Sequence, residues 1–241
     1  MADTAIIGVG CAGGRVVNEL VKAGRIEAEF VAINTDGGEL NACRASVKLQ
    51  IGMKWMRGFG AAANPSLGAQ AAEEAAEGIA KLCAGQASIL LVAGLGGGTG
   101  GGAGPVVVRI AKAQGCRVVA VVTRPFRFEG LFRKLNEAFG LVGLADHVDR
   151  LVTVRLNDLM PLVREKTTLR EAFETASRVV AKTVELLPEI VTTPGPENSE
   201  VVDVMALAGS DGRQGCKTVA VCDKWCAQHE RPVRRAPLAG R

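Results

Sequence analysis

Gly94-Leu95-Gly96-Gly97-Gly98-Thr99-Gly100-Gly101-Gly102-Ala103-Gly104 places eight glycines in eleven positions. An apolar run, Ser88-Ile89-Leu90-Leu91-Val92-Ala93, leads into it, and the apolar residues of 105–114 at helical spacing lead out. The reading is a buried strand, a glycine loop over 94–104 and a helix over 105–114. So many glycines lose much backbone entropy on ordering. They make sense where many backbone N–H groups converge on several oxyanions, with Thr99 adding a hydroxyl. The alternative, a flexible linker, fits poorly between an apolar strand and helix set so close.

The same unit opens the chain. Residues 4–9 form a strand, and Gly8-Val9-Gly10-Cys11-Ala12-Gly13 matches G-x-G-x-x-G before a helix over 14–23. Glycine lets the backbone approach a phosphate, and the helix start offers free N–H groups and a positive dipole end. A tight turn without ligand accommodates the same letters. Residues 30–34 and 47–51 are further strands, and Asp36 lies where a dinucleotide fold places an acid against ribose. Asn64-Pro65-Ser66 ends a Gly/Ala-rich loop over 58–68 and caps a helix of about 68–84. Strands follow at 117–123 and 148–154, with a helix over about 130–143 between them. Near-continuous apolar strands alternating with helices predict a three-layer α/β fold with a parallel sheet, Rossmann-like, binding ligand beyond the strands' carboxyl ends. Two glycine loops suit a triphosphate, and the P-loop pattern G-x-x-x-x-G-K-[ST] is absent.

Thr168 and Glu171 form a capping box for a long helix. Its apolar stripe is Leu169, Phe173, Ala176, Val180, Val184, Leu187 and Val191, with a kink or early stop expected at Pro188. Beyond about residue 209 the periodicity fades, although Thr218-Val219-Ala220-Val221 reads as a short strand.

Of 241 residues, 48% are hydrophobic and 22% charged, which excludes disorder throughout. The net charge of +4 belongs to the tail. Residues 1–209 carry 22 basic and 22 acidic side chains, and residues 210–241 carry 7 and 3. A neutral body argues against nucleic-acid binding. No apolar run approaches the ~18–20 residues of a membrane span. The first residues lack a signal-peptide pattern, and seven cysteines form no compact framework, so a reducing cytoplasm is expected. Cys216, Cys222, Cys226 and His229 lack the C-x-x-C pair of structural zinc sites, and no metal site is assigned.

The chain resembles the tubulin/FtsZ superfamily, and bacterial FtsZ more than tubulin. The resemblance is carried by Gly-Gly-Gly-Thr-Gly at 96–100, Asn34-Thr35-Asp36, the 58–65 segment Gly-Phe-Gly-Ala-Ala-Ala-Asn-Pro and the 125–130 segment Pro-Phe-Arg-Phe-Glu-Gly, in order, from about residue 4 to 205. It implies GTP or GDP with Mg²⁺, phosphates held by Cys11, Ala12, Gly13, Gly14, Gly98, Thr99 and Gly100, with Gly10, Gly96 and Gly97 also in the nucleotide site, and Ala61, Ala62, Ala63 and Asn64 near the terminal phosphate. Glu129 and Arg133 would meet ribose and phosphate, Asn34 and Asp36 would join the site, and Phe173 would stack on the base. It implies hydrolysis by acids of a neighbouring subunit in a head-to-tail filament, here Asn198, Glu200 and Asp203, in cell division or a related cytoskeletal role.

Three departures stand out. FtsZ has an Asn after the first glycine loop and an acid or amide on the central helix, where this chain has Arg15 and Ser177. Glu200 replaces an Asp, with Pro188 and Pro196 close before it. FtsZ also continues into a second domain, for which the 32 residues after 209 are too few. The expected organisation is therefore an FtsZ-like domain over 1–209 and a divergent basic tail over 210–241. Two alternatives stay open: a degenerate paralogue that binds or caps filaments of an intact FtsZ without hydrolysis, and a dinucleotide-dependent oxidoreductase.

Overall fold

The computed structural model describes residues 4–162 and 167–187, and the backbone of 220–221. Six parallel strands form the sheet: β1 (Thr4–Val9), β2 (Glu29–Asn34), β3 (Val47–Gln50), β4 (Ser88–Gly94), β5 (Arg117–Arg124) and β6 (Arg150–Arg155). Their order is β3-β2-β1-β4-β5-β6, and a two-residue strand, β7 (Ala220–Val221), pairs antiparallel with β6. The fold is the expected three-layer α/β arrangement.

Both faces of the sheet are buried, which is why the strands read as apolar runs rather than alternating ones. Ala5, Ile7 and Val9 of β1 face one core with Ile89, Leu91 and Ala93 of β4. Ile6, Leu90 and Val92 face the other. The first core is covered by α4 (Pro65–Glu74), α5 (Ala76–Cys83), α6 (Gly98–Ala113) and Leu144 of α7 (Leu131–Ala145). The second is covered by α1 (Gly10–Ala23), Leu40 of α2 (Gly37–Ala42) and α8 (Leu169–Glu185). A short α3 (Met53–Met56) adds Met56 to the first core.

The strands lie within a residue or two of their expected positions. The helices differ more. The helix after β1 begins at Gly10, not 14, and the helix after β4 begins at Gly98, not 105. Most of the expected glycine loop is therefore the first two turns of α6. The helix expected over 68–84 starts at Pro65 and breaks at Ala75 into two.

The capping box of Thr168 and Glu171 is present, with Glu171 Oε2 accepting from the Thr168 amide at 2.7 Å. Helix α8 ends at Glu185, three residues before Pro188, as the restriction on residues preceding proline favours. Leu169 departs from the expected buried stripe and is exposed, whereas Val180, Val184 and Leu187 are buried. Pro188, Val191, the tail's cysteines and nearly all of 210–241 lie outside the described residues.

Asp149 ties the turn before β6 to its neighbours. It accepts from Lys112 Nζ at 2.8 and 2.9 Å and from the Val118 amide at 2.7 Å. Partial burial pushes its pKa up, but Lys112, the Val118 N–H and Arg117 together outweigh this and hold it below the ordinary 3.8. A depressed carboxylate contributes stability that is present above its unfolded pKa and lost as pH falls through its folded pKa. Asp149→Asn is expected to lower the melting temperature at pH 7. The gap from wild type should narrow below about pH 4, as thermal scans across pH 2–7 will show.

Candidate functional site

The strand order places the switch point between β1 and β4, from which the chain moves outward in both directions. Open parallel sheets bind ligands in the crevice at such a point. Here the carboxyl ends of β1 and β4 run directly into α1 and α6. A cavity of about 330 Å³ lies over them.

The floor of the cavity is two helix starts. Neither α1, capped by Val9, nor α6, capped by Gly97, receives a side-chain cap bond, and neither has an acid in its first turn. Their first N–H groups are thus left for a ligand, and both dipoles point positive ends inward. The two starts nearly touch. A Cβ on Gly10 would lie 3.1 Å from the Gly100 nitrogen, and the φ of +73° at Gly10 already disfavours a side chain.

The walls come from other segments. Asn34 is buried, donates to Cys11 Sγ at 3.7 Å and accepts from the Asp36 amide at 3.2 Å. Next to it, Thr35 Oγ1 lies 2.7 Å from Thr99 Oγ1, bridging the end of β2 to the start of α6. Asp36 spends one carboxylate oxygen on capping α2, accepting from Glu39 N at 3.0 Å. The 59–63 turn forms the rim. Ala62 and Ala63 have φ of 44° and 56° there, conformations that cost non-glycine residues free energy. Asn136 of α7 holds this turn, donating to Ala63 O at 2.7 Å and Gly96 O at 3.3 Å.

Glu129 accepts from the Phe126 amide at 2.7 Å and pairs with Arg133 at 3.4 Å. The far wall is apolar: Val16, Leu156, Phe173, Ala176 and Val180. Phe173 meets Phe126 edge-on at 5.6 Å between ring centroids. Ser177 is buried among them and donates to Phe173 O at 2.9 Å.

Eighteen of the 21 residues expected to hold nucleotide line this one cavity. The other three have different work. A Cβ on Gly13 would sit 2.4 Å from Val92 O, so this glycine lets α1 close on β4. Gly14 accepts from Cys43 Sγ at 3.6 Å, and Asn64 caps α4 by accepting from Ser66 N at 2.9 Å. Arg15 lines the cavity but pairs with Glu39 at 3.2 Å. Asn198, Glu200 and Asp203 fall outside the described residues.

The sequence motif Asn34-Thr35-Asp36 includes Thr35 without giving it a role, and no sequence signal points to Thr123 or Asn136. Thr123 lines the cavity from the end of β5. Asn136 is separated by 73 and 40 residues from the carbonyls it holds. No local pattern marks such a residue.

The charged lining is balanced: Arg15 and Arg133 against Asp36 and Glu129. The Cys11 thiol is raised above its ordinary 9.0, first by desolvation and further by Glu39 and Asp36, against the pull of Asn34 and Arg15. It stays neutral at pH 7 and adds no charge against an anion. The positive potential of this cavity therefore comes chiefly from backbone amides and helix starts.

Comparison with known proteins gives this arrangement a family. The model of the tubulin/FtsZ family, GTPase domain, matches residues 3–163. An empty FtsZ dimer from M. jannaschii is 39% identical, with a TM-score of 0.75 over 86% of this chain and 60% of that one. CetZ2 from Haloferax volcanii, solved as a GTPγS-bound protofilament, is 27% identical, with a TM-score of 0.70 over 78% of this chain and 58% of that one. CetZ1 from the same organism, a GDP-bound monomer, is 24% identical with a TM-score of 0.71, over 80% of this chain and 62% of that one, a likeness of fold. The chain spans about three fifths of the length of these relatives. Among the described residues no helix is long and apolar enough to cross a membrane. The ordered loops, the strand order and the matched segment agree: this chain belongs to the tubulin/FtsZ family and carries its GTPase domain.

Proposed function

We propose that the chain binds GTP in this cavity and hydrolyses it on head-to-tail contact with a second copy, in cell division or a related cytoskeletal task. One observation carries the reading: two uncapped helix starts open side by side onto the floor of a cavity with an apolar wall. Phosphates would lie along the amides of Gly10–Ala12 and Gly98–Gly100, and the base against Phe173. Thr99 would add a hydroxyl, and Ala61, Ala62, Ala63 and Arg133 would approach the outer phosphate. Family membership favours this over a dinucleotide-dependent oxidoreductase.

Mg²⁺ would arrive with the nucleotide. Among the described residues no three His, Cys, Asp or Glu side chains group to hold a metal ion. Phosphate oxygens and water are the ligands Mg²⁺ ordinarily keeps at such sites. Bound, it neutralises charge on the phosphates. Asn198, Glu200 and Asp203 of a neighbouring copy are the candidates to orient the attacking water.

Binding of GTP and phosphate release, measured over a range of protein concentrations, test this together. Turnover per chain is expected to rise with concentration, because part of each site comes from another copy. No binding at millimolar GTP with Mg²⁺ defeats the reading.

A second reading is favoured by the residues at the cavity's apolar end, where Arg15 and Ser177 stand at the positions that depart from FtsZ. In it, the protein binds or caps filaments of an intact FtsZ, or associates with other division proteins, with little turnover. Co-sedimentation with full-length FtsZ decides: a protein that neither enters nor shortens those filaments has no such role.

A further inference from the structure

We infer that the site takes purine nucleoside triphosphates as a class, with little discrimination between guanine and adenine. This rests on the nucleotide-binding reading above and concerns the end of the cavity where the base would lie.

Strong base selection needs buried polar groups that the wrong base leaves unpaired. Among the described residues the apolar wall offers one such group, the hydroxyl of Ser177, on a residue only 9% exposed. Its proton is already given to Phe173 O. What remains is one acceptor oxygen, without the paired oxygens of a carboxylate. Guanine can satisfy it with N1–H, and adenine can satisfy it with N6–H. Either purine leaves the hydroxyl paired, so neither is rejected.

The charged groups do not restore selectivity. Two carboxylates line the cavity: Asp36 caps α2 with one oxygen and sits beside Gly60 of the rim turn rather than on the apolar wall, and Glu129 is engaged by Phe126 N and Arg133. Among the described residues, a guanine edge presenting N1–H and N2–H together at the apolar wall therefore meets no free carboxylate to accept both. Arg15 is a donor only. Its side chain is 45% exposed and paired with Glu39, and an exposed pair of this kind contributes little. The N7 acceptor it could reach is common to both purines. Shape and stacking against Phe173 admit any purine.

Competition of GTP, ATP and ITP against a fluorescent nucleotide, on the full chain with Mg²⁺, tests this. Inosine lacks the exocyclic amino group, so ITP reports whether that group is used. All three dissociation constants are expected within about tenfold of one another, as a single shared hydrogen bond implies. Ser177→Asp supplies a two-oxygen acceptor and is expected to raise the preference for GTP over ATP by about 10- to 100-fold. Ser177→Ala is expected to leave the ratio within tenfold. A wild-type preference for GTP over ATP above about 100-fold overturns the inference, whatever the variants do. So does a wild-type loss of that size from GTP to ITP. Failure of all three nucleotides to bind overturns the nucleotide reading itself, and this inference with it.

Discussion

Alanine at Gly102 is expected to destabilise the protein by about 3 kcal/mol, whereas alanine at Gly104, two residues on, is expected to stabilise it by about 0.5–1 kcal/mol. The two glycines are neighbours in the same helix and indistinguishable by composition. A Cβ on Gly102 would lie 1.9 Å from the Pro65 carbonyl oxygen, 2.7 Å from its carbon and 2.8 Å from the Ala69 nitrogen. All three are backbone atoms of α4, so relief requires the helices to separate. The contact is glycine on both sides, for a Cβ on Gly68 of α4 would come 2.2 Å from Gly98 O of α6. At Gly104 the nearest atoms are Leu91 Cδ2 at 3.8 Å and Ala93 Cβ at 3.9 Å, ordinary contacts. Alanine there only removes backbone freedom from the unfolded chain and suits the helix. Thermal unfolding separates the cases. Gly102→Ala should lower the melting temperature by about 6–12 °C, and Gly104→Ala should raise it by about 1–4 °C. A tolerated alanine at Gly102 would mean that α4 and α6 do not approach as closely as described.

That pair of outcomes also marks where sequence reading reached its limit. Of the eight clustered glycines, five line the cavity: Gly94, Gly96, Gly97, Gly98 and Gly100. The run is not one loop with one purpose, since α6 already begins at Gly98. Gly101 and Gly102 serve packing, against Leu95 O and against α4. A glycine emptied for a ligand and one emptied for a neighbouring helix are the same letter, and the neighbour lies over 30 residues away. Helix α6 also begins where intrinsic propensity argues against a helix, and Pro105, a residue suited to a first helical position, falls in its eighth. Packing against α4 and α7 outweighs both. The strands were legible because burial on two faces leaves an unbroken apolar record. The short α2 and α3 were not, for neither is long enough to show a helical period. Within the site, contiguous motifs were legible. Thr123 and Asn136 were not, because their positions arise only when separate strand ends and α7 meet over the cavity.

Valine at Thr99 is expected to weaken nucleotide triphosphate binding about 10- to 100-fold. Valine keeps the branched shape and the helix start, so the change is confined to one hydroxyl. The hydroxyls of Thr35 and Thr99 face each other at 2.7 Å. One proton suffices for the bond between them, so the other hydroxyl keeps a proton to donate elsewhere. Thr99 stands in the first turn of α6 and lines the cavity, where a phosphate oxygen would accept that proton. A hydrogen bond to a charged acceptor contributes about 1.5–3 kcal/mol, the source of the expected factor. Binding should survive, because the backbone amides of α1 and α6 remain. Thr35→Val is the necessary comparison. It breaks the same hydroxyl pair and leaves a buried hydroxyl without its partner, so both variants should lose about 1–3 kcal/mol of stability. In Thr35→Val, however, Thr99 retains its proton for the phosphate, and affinity should fall by less than about fivefold, well under 1.4 kcal/mol. Similar stability losses with divergent affinities would identify the Thr99 hydroxyl as a phosphate donor. Equal affinity losses in the two variants would instead trace the effect to the broken bridge between β2 and α6.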